Sequence, residues 1–465
     1  KRRVKEVQSE VNTSWGQLVF STEGASLESI GFKSDIDGKT ELLRTIFPVA
    51  DTERESRCFL IGLQEKTPYF YDLIKREDTD NQTTLVYEAN NDLGTLRKTF
   101  VVDQHKHVID LIVEIDPKQE VSGIIEPRIF YPSPIVPNII NQDVISGIVI
   151  DKQESFEKIA RSKIDVQRGW FEPSLFGTDD RYFVHTMIND QDNFVQRAYY
   201  KLSGLSTLFS ILEGPEVTQK TNWKVSFYFG PKEVESLVAV DPRLEKTLGF
   251  YGFLAPVSKL LLKILKWLYG YLHNYGFAII ALTILIKLLL LPFTWRSERN
   301  MKQSAKQRAE FQKKLSYLQQ RYKDDPDQLS RERAELIRKD GIPGLGAGCL
   351  PVLLIQMPIF LALNGILSSA IELYRAPMLW ISDLSSPDPY FVLPILVGLA
   401  MLGQAMTVEA SQRMTMIVMA LVFGAVTAYL SAGLALYIVV STALGVLQTM
   451  IINFFSRARS GNYVS

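Results

Sequence analysis

The spacing of apolar residues divides the chain into two parts. In the first part, apolar and polar residues alternate with a period of two, as in residues 109–115 and 223–229. Such alternation predicts half-buried β-strands, and turn signals such as Glu213-Gly214-Pro215 separate the runs. Many short strands over residues 1–245 predict an antiparallel all-β sandwich domain.

The second part contains five long apolar runs. A helix needs about 20 apolar residues to cross a bilayer, within a range of about 17–25. The third and fourth runs are at or below this lower limit, so we expect them to thin the bilayer locally or to pack away from lipid. The five runs are residues 275–293, 345–370, 391–406, 414–430 and 433–455.

An amphipathic segment precedes the first apolar run. Residues 254–272 combine a basic stripe at helical spacing with an apolar body and aromatic residues. This combination is typical of a helix in the membrane interface, whereas the alternative is an ordinary helix packed on the β-rich domain. We therefore assign residues 246–273 to an interfacial helix. Its candidate lipid-contacting residues are Lys259, Lys263, Lys266 and Trp267.

Charges in the loops predict the orientation. Residues 296–340 contain thirteen Lys or Arg against eight Asp or Glu, and the positive-inside rule places this stretch in the cytoplasm. The β-rich part then lies on the outer side, and the tail, residues 459–465, lies inside. Because no apolar segment precedes the β-rich part, we expect its export signal or anchor to lie before Lys1.

The cytoplasmic stretch is predicted to be a helical hairpin. Near-helical spacing runs from Met301 to Tyr322, breaks at residues 324–327 and resumes at residues 329–339. Its charges form either a solvated face or a surface for lipid headgroups or ribosomal RNA. The candidate contact residues are Arg299, Lys302, Lys306, Lys313 and Arg321.

Composition narrows the class of function. Lys plus Arg equals Asp plus Glu, 51 each, which excludes a globally basic nucleic-acid binder, and we expect no DNA partner. Cys58 and Cys349 are expected to be separate buried thiols, and His105 and His107 a surface pair. The sequence contains no G-x-S-x-G, H-E-x-x-H or P-loop motif. We therefore expect no enzymatic activity, no metal and no cofactor.

Lys287 is the only charged residue in the first apolar run. A charge near the middle of a span costs about 2.5–3.5 kcal/mol on insertion scales, and the other four runs contain no acidic residue. Lys287 therefore either snorkels to the membrane surface or lines a hydrated groove. Polar residues in the runs either join helices by hydrogen bonds or line the same groove. They are Thr283, Gln356, Asn364, Gln404, Ser441, Thr442 and Gln448.

Two stretches resemble the signature of the YidC-type membrane protein insertases. They are residues 348–363 (Gly-Cys-Leu-Pro-Val-Leu-Leu-Ile-Gln-Met-Pro-Ile-Phe-Leu-Ala-Leu) and residues 376–385 (Ala-Pro-Met-Leu-Trp-Ile-Ser-Asp-Leu-Ser). Residues 275–280 are similar to the first core span of that family. Phe229-Gly230-Pro231-Lys232 resembles the end of the large periplasmic domain in Gram-negative members. The resemblance covers essentially the whole chain.

The resemblance implies a multi-domain, multi-pass protein of the bacterial inner (cytoplasmic) membrane. A periplasmic all-β supersandwich would be followed by an α-helical five-span insertase core, residues 274–458, with a cytoplasmic helical hairpin. The core would enclose a positively charged groove that is open to cytoplasm and lipid and closed to the periplasm. Family members usually carry Arg where Lys287 stands. Contact with a substrate helix would fall to Met357, Phe360 and Tyr437, for which plain apolar packing is the alternative.

The implied activity is that of an insertase and chaperone for nascent inner-membrane proteins. Its implied partners are the ribosome, the lipid bilayer and the Sec translocon, although insertion would also proceed without the translocon. One rival interpretation is a secondary transporter with Lys287 as its substrate or proton site. Another is a receptor or assembly scaffold whose work is done by the β-rich domain.

Overall fold

The computed structural model describes residues 6–461 except 37–38, 49–56, 64–69, 92–93, 119–124, 136–144, 204–206, 249–253, 324, 341–349 and 407–409. The chain divides into two compact units. One comprises Lys1–Gly249 with Ser369–Ile371, and the other comprises Phe250–Ser368 with Glu372–Ser465. The first unit is β-rich and the second is helical, so each is described by itself.

The described residues of the β-rich unit form three antiparallel sheets. The four-stranded sheet has the order β1-β2-β3-β4, with β1 Gln8–Asn12, β2 Gly16–Ser21, β3 Ser26–Ile36 and β4 Lys39–Ile46. The five-stranded sheet has the order β13-β16-β17-β10-β5. Its strands are β5 Leu60–Gly62, β10 Arg128–Pro132, β13 Gly169–Phe171, β16 Arg197–Ser203 and β17 Thr207–Glu213.

The nine-stranded sheet has the order β12-β11-β14-β15-β18-β9-β8-β7-β6. Its strands are β6 Asp72–Asp78, β7 Gln82–Asn90, β8 Gly94–Asp103, β9 Val108–Pro117, β11 Ser146–Ile150, β12 Phe156–Ala160, β14 Leu175–Asp179, β15 Phe183–Asp190 and β18 Thr221–Pro231. The runs 109–115 and 223–229 lie in β9 and β18, which pair directly with Val225 opposite Leu111. The prediction of a large antiparallel β-rich domain is therefore confirmed.

Aromatic side chains join the five-stranded and nine-stranded sheets. Phe59, just before β5, stacks on Phe229 of β18 with ring centroids 5.2 Å apart. Tyr131 of β10 meets Phe227 of β18 edge to face at 5.3 Å. All four rings are essentially inaccessible to solvent. Offset and edge-to-face contacts of this kind stabilise a core beyond the area that they bury.

Two lysines are buried among the described residues of this unit, and both have partners. Lys98 of β8 is 0% exposed, and its Nζ donates to the carbonyls of Gly24 (2.9 Å), Ala25 (2.5 Å) and Phe59 (2.5 Å). Burial lowers the pKa of Lys98 to about 7. Because these carbonyls precede β3 and β5, the single amino group ties all three sheets together.

Lys232 explains the Phe-Gly-Pro-Lys sequence at the end of β18. Its Nζ lies 2.5 Å from Asp179 Oδ2 and donates to the Asp180 carbonyl at 2.7 Å. Asp179 is fully buried and also pairs with Lys158 at 2.6 Å. Burying a charge is costly unless the charge is paired. The ion pair with Asp179 therefore allows Lys232 to be buried directly after β18.

The helical unit follows a short helix of the β-rich unit, α1 (Val234–Val240). Its described helices are α2 Ala255–Leu272, α3 Tyr275–Arg321, α4 Pro326–Asp340, α5 Leu350–Ser369, α6 Val392–Ala405, α7 Ala410–Thr427 and α8 Ala432–Gly461. The end of α3 and α4 occupy the two arms expected for the helical hairpin. Helix α8 runs three residues beyond the boundary expected at residue 458.

Helix α3 joins the first predicted span to the first arm of the hairpin. It continues for 47 residues from the apolar run into the cytoplasmic stretch, with Pro292 inside it. The Thr294 hydroxyl lies 3.1 Å from the carbonyls of both Leu290 and Leu291. Proline is tolerated within apolar helices, and the carbonyl that Pro292 leaves without a helical donor is that of Leu288. The Thr294 hydroxyl therefore reinforces the turn that contains Pro292 and does not replace the lost bond.

Helix lengths bear on the membrane prediction. Among the described residues, two stretches are long and apolar enough to cross a bilayer, Tyr275–Arg296 and Ala432–Ile452. Helix α6 has 14 residues and is about 21 Å long, against about 30 Å of hydrocarbon. The third run is therefore short, as predicted. The count of five spans stays a prediction.

Candidate functional site

Helices α3 and α8 pack side by side and run in the same direction. A methyl group added to Gly433 would lie 3.4 Å from Ile279 Cδ1, and farther along Gln448 Nε2 donates to Thr294 Oγ1 at 3.0 Å. Both contacts join residues 154 positions apart. A constant offset means that the two helices keep one parallel register over this length.

This register places the predicted polar residues in layers. Thr283 lies level with Tyr437, and Lys287 lies level with Ser441, on the faces that Ile279 and Gly433 share. Thr283, Tyr437 and Ser441 are 1%, 3% and 7% exposed. The Thr283 hydroxyl donates to the carbonyl of Ile279 at 2.7 Å, so it is satisfied within its own helix.

Lys287 differs from the other polar residues at the interface of α3 and α8, which we call the seam, because it is less buried. Its side chain is half-buried, and its neighbours Leu288 and Leu289 are 61% and 77% exposed. Among the residues whose side chains the structure describes, none forms a hydrogen bond or an ion pair with Lys287. A cation on an apolar helix without a protein partner is expensive unless water or a ligand solvates it.

The other predicted groove residues lie apart from this seam or beside it. Thr442 is half-buried on α8, next to Ser441. Asn364 on α5 and Gln404 on α6 are half-buried and have interactions of their own. Gln356 lies on α5, but its side chain is outside the described residues. The structure therefore brings Thr283, Lys287 and Ser441 together and leaves the full groove a prediction.

The predicted substrate-contacting residues differ in exposure. Met357 is 45% exposed, and Phe360, one helical turn farther along α5, is half-buried. Tyr437 is 3% exposed. Met357 is thus available at the surface of the helical unit, whereas Tyr437 is enclosed beside Thr283.

The basic stripe on α2 does not act as one surface. Lys259 and Lys263 are exposed, but Lys266 lies 2.9 Å from Glu372, which is only 12% exposed. Trp267 is 58% exposed and meets Tyr271 edge to face at 5.1 Å. Lys266 thus has a protein partner where a lipid contact was expected, because the segment after α5 supplies a carboxylate.

The hairpin residues are described only in part. Lys313 and Arg321 are exposed, and the Arg321 guanidinium lies 6.0 Å from the centre of the Tyr317 ring. The side chains of Arg299, Lys302 and Lys306 lie outside the described residues. A cleft of about 640 Å³ separates the two arms, and it is lined by Lys313, Lys314, Tyr317, Leu318, Glu332, Glu335 and Leu336.

Two aspartates in the loop between α5 and α6 have a structural role that was not predicted from the sequence. Asp383 accepts hydrogen bonds from the amides of Arg375 and Ser385 at 3.0 and 2.9 Å. Asp388, 3% exposed, accepts from the Leu393 amide at 2.7 Å and so caps α6. Carboxylates favour such positions because they satisfy amides at turns and at helix starts. The loop is therefore held by its own side chains.

The remaining chemical candidates are structural. Cys58 is buried as predicted, and Cys349 lies outside the described residues. The surface histidine pair is wrong for His107, whose ring lies 5.0 Å from that of Trp15. Burial lowers the pKa of His107 to about 4. The segment bends between β8 and β9, so His105 is exposed and His107 is half-buried against Trp15.

A large β-rich domain followed by apolar helices, one of which carries a lysine without a partner among the described side chains, is the arrangement of a membrane protein with an extramembranous domain. Two family profiles match the chain: "60Kd inner membrane protein" over residues 267–459 and "YidC periplasmic domain" over residues 10–264. The chain belongs to the YidC family of membrane protein insertases. This family consists of inner-membrane proteins with a periplasmic domain.

Similar proteins span the whole chain. The membrane protein insertase YidC of Geobacter metallireducens is 30% identical over 97% of this chain and 86% of its own length. That of Methylobacillus flagellatus is 29% identical over 96% of this chain and 86% of its own length. A crystal structure of an active YidC insertase with its first transmembrane domain resolved is 16% identical, with a TM-score of 0.40, over 95% of this chain and 92% of that one.

Proposed function

We propose that this protein inserts nascent membrane proteins into the bacterial inner membrane and assists their folding. The observation that carries the proposal is Lys287, a half-buried cation on an apolar helix with no partner among the described side chains. A missing partner is expected if the partner is a transient substrate. Family membership supports the same activity, because the similar proteins are named membrane protein insertases.

The substrate first enters a hydrated groove from the cytoplasm. Its polar or acidic segment occupies the space around Lys287, which lowers the cost of removing that segment from bulk water. Thr283 and Ser441 form the seam beside Lys287, and Gln356, Asn364, Gln404 and Thr442 complete the polar lining. The groove is closed to the periplasm, so the segment is held before it crosses.

The apolar helix of the substrate then leaves sideways into lipid. It meets Met357 first, because this side chain is 45% exposed, and then Phe360. Tyr437 is reached only after α8 separates from its neighbours. Transfer of the apolar helix into lipid drives the step, and no covalent bond is made or broken. The short helix α6 thins the bilayer and lowers the barrier further.

The topology that we propose has five spans formed by α3, α5, α6, α7 and α8. The hairpin is cytoplasmic, where its basic residues approach the ribosome, and the tail lies on the same side. Helix α2 lies in the membrane interface, with Lys259, Lys263 and Trp267 at the headgroups. The β-rich domain, a supersandwich of the sheets described above, is periplasmic. The protein works alone or beside the Sec translocon.

Site-specific crosslinking tests this path. A photoreactive residue at Met357 should crosslink to a ribosome-stalled nascent chain whose apolar helix has just emerged. The matched control is Val418 on α7, which is 51% exposed and lies outside the proposed path. Equal crosslinking from both positions would contradict the path.

Deletion of residues 1–245 separates insertion from a scaffold role. An insertase core that carries the activity should retain much of its insertion after deletion. A scaffold whose work is done by the β-rich domain should lose its activity. Substrate insertion into proteoliposomes that contain either the truncated or the complete chain decides between the insertase and the scaffold interpretations.

A further inference from the structure

Thr294 and Gln448 form a direct side-chain hydrogen bond between α3 and α8. Gln448 Nε2 donates to Thr294 Oγ1 at 3.0 Å. The same hydroxyl lies 3.1 Å from the carbonyls of Leu290 and Leu291, to which it donates. Thr294 is thus fixed to its own helix and to α8 through one oxygen, with both side chains half-buried.

This bond lies next to a position where the long helix α3 lacks a backbone hydrogen bond. Pro292 has no amide hydrogen, so the Leu288 carbonyl one turn earlier loses its helical donor. Beyond this point α3 continues to Arg321 as the first arm of the hairpin. A displacement of the hairpin would therefore bend α3 near Pro292, five residues after Lys287.

The bond also holds the register that aligns Lys287 with Ser441. The two contacts that define the register are Ile279 with Gly433 at one end and Thr294 with Gln448 at the other. Lys287 lies between them, about 10 Å from the Thr294 layer at 1.5 Å per residue. A slip of one turn would move Lys287 by about 5.4 Å, towards another layer of α8.

We propose that Thr294 and Gln448 are positioning residues that clamp α3 to α8 just beyond Pro292. The clamp holds Lys287 at the level of Ser441 while the cytoplasmic hairpin moves. It acts through Lys287 and does not contact the substrate. This inference rests on the proposed function, because the height of Lys287 matters only if the substrate's polar segment uses it.

The test compares two substrates in proteoliposomes that contain the complete chain. One substrate carries an acidic translocated segment and the other a neutral one of equal length. Thr294→Val and Gln448→Leu should each lower insertion of the acidic substrate about fivefold, the equivalent of one hydrogen bond, and lower the neutral one by less than twofold. Thr294→Ser should restore the acidic substrate, and the double variant should be no worse than either single variant.

A matched control removes a threonine hydroxyl that bonds only its own helix. Thr427 on α7 is 1% exposed and donates to the carbonyl of Phe423 at 2.6 Å. Thr427→Val should leave the ratio of acidic to neutral insertion unchanged. Equal loss of both substrates in Thr294→Val would mean that the bond only supports the fold, and no loss would mean that it does not position Lys287.

A second measurement separates this inference from the proposed function. Lys287→Cys should react with a charged thiol reagent at a different rate when Thr294→Val is added, because the register relaxes. An unchanged rate would overturn the clamp and leave the insertase proposal intact. If Lys287→Met leaves acidic-substrate insertion unchanged, the proposed function itself fails.

Discussion

The two units of this protein differ in what surrounds their fully or partly buried lysines. In the β-rich unit, Lys98 is 0% exposed and donates to three carbonyls, and Lys232 is paired with Asp179. In the helical unit, Lys287 has no partner among the described side chains. Buried polar groups usually have hydrogen-bond partners. Lys98 and Lys232 have the partners expected of lysines that stabilise a fold, whereas the surroundings of Lys287 fit the substrate-binding role that we propose.

The largest expected effect is at Lys98. Lys98→Met would leave three buried carbonyls without a donor, and the free energy of unfolding of the β-rich unit should fall by about 3–5 kcal/mol. The control is Lys75→Met, since Lys75 is 61% exposed in its pair with Glu77 and should change stability by less than about 0.5 kcal/mol. Chemical denaturation measures the free energy of unfolding of both variants. Similar losses in the two would contradict the stabilising role of Lys98.

Acid should weaken the β-rich unit through two histidines, the half-buried His107 and the fully buried His185. Burial lowers the pKa of His107 to about 4 and that of His185 to about 3. Both pKa values lie below the value of about 6.5 that histidine has in the unfolded chain. The stability that depends on these histidines being neutral is therefore fully present above pH 6.5, and it is lost as the pH falls towards 4 and 3. Thermal unfolding between pH 7 and pH 4 should show a falling Tm.

Histidine variants sharpen that prediction. His107→Phe should flatten the decline with pH, because it removes one group that the unfolded state protonates. His105→Gln should leave the decline unchanged, because His105 is exposed. A decline that is the same in both variants would show that His107 is not responsible.

The smallest stability effect is expected at Lys287. Lys287→Met removes a charge that has no protein partner among the described residues, so the helical unit should be unchanged within about 0.5 kcal/mol or more stable. Thermal unfolding in detergent, followed by circular dichroism at helical wavelengths, checks this. A loss on the order of 2 kcal/mol or more, as expected when a buried contact is broken, would reveal a structural partner of Lys287.

Much of the fold was predictable because it depends on local patterns. Alternation located β9 and β18, and Pro326 marked the break in the hairpin. Lys98 also had a signal that sequence reasoning missed, since it occupies an apolar-face position between Leu96 and Phe100. A charge in such a register indicates a buried, hydrogen-bonded group.

The site was less predictable, because its geometry depends on distant residues. Thr283, Lys287 and Ser441 were found as polar residues in apolar runs, but their layers follow from a register between helices 154 positions apart. No local pattern pairs Thr294 with Gln448 or Lys266 with Glu372. Sequence alone also does not show that α3 runs through Pro292 into the hairpin, because proline disfavours a helix interior and only the packed structure shows the helix continuing.

The most direct test of the central claim exchanges charge between Lys287 and the substrate. We expect Lys287→Glu to abolish insertion of a substrate with an acidic segment and Lys287→Arg to preserve it. A substrate with a basic segment should recover part of its insertion in Lys287→Glu. Full insertion of the acidic substrate by Lys287→Glu would contradict an electrostatic role for this lysine.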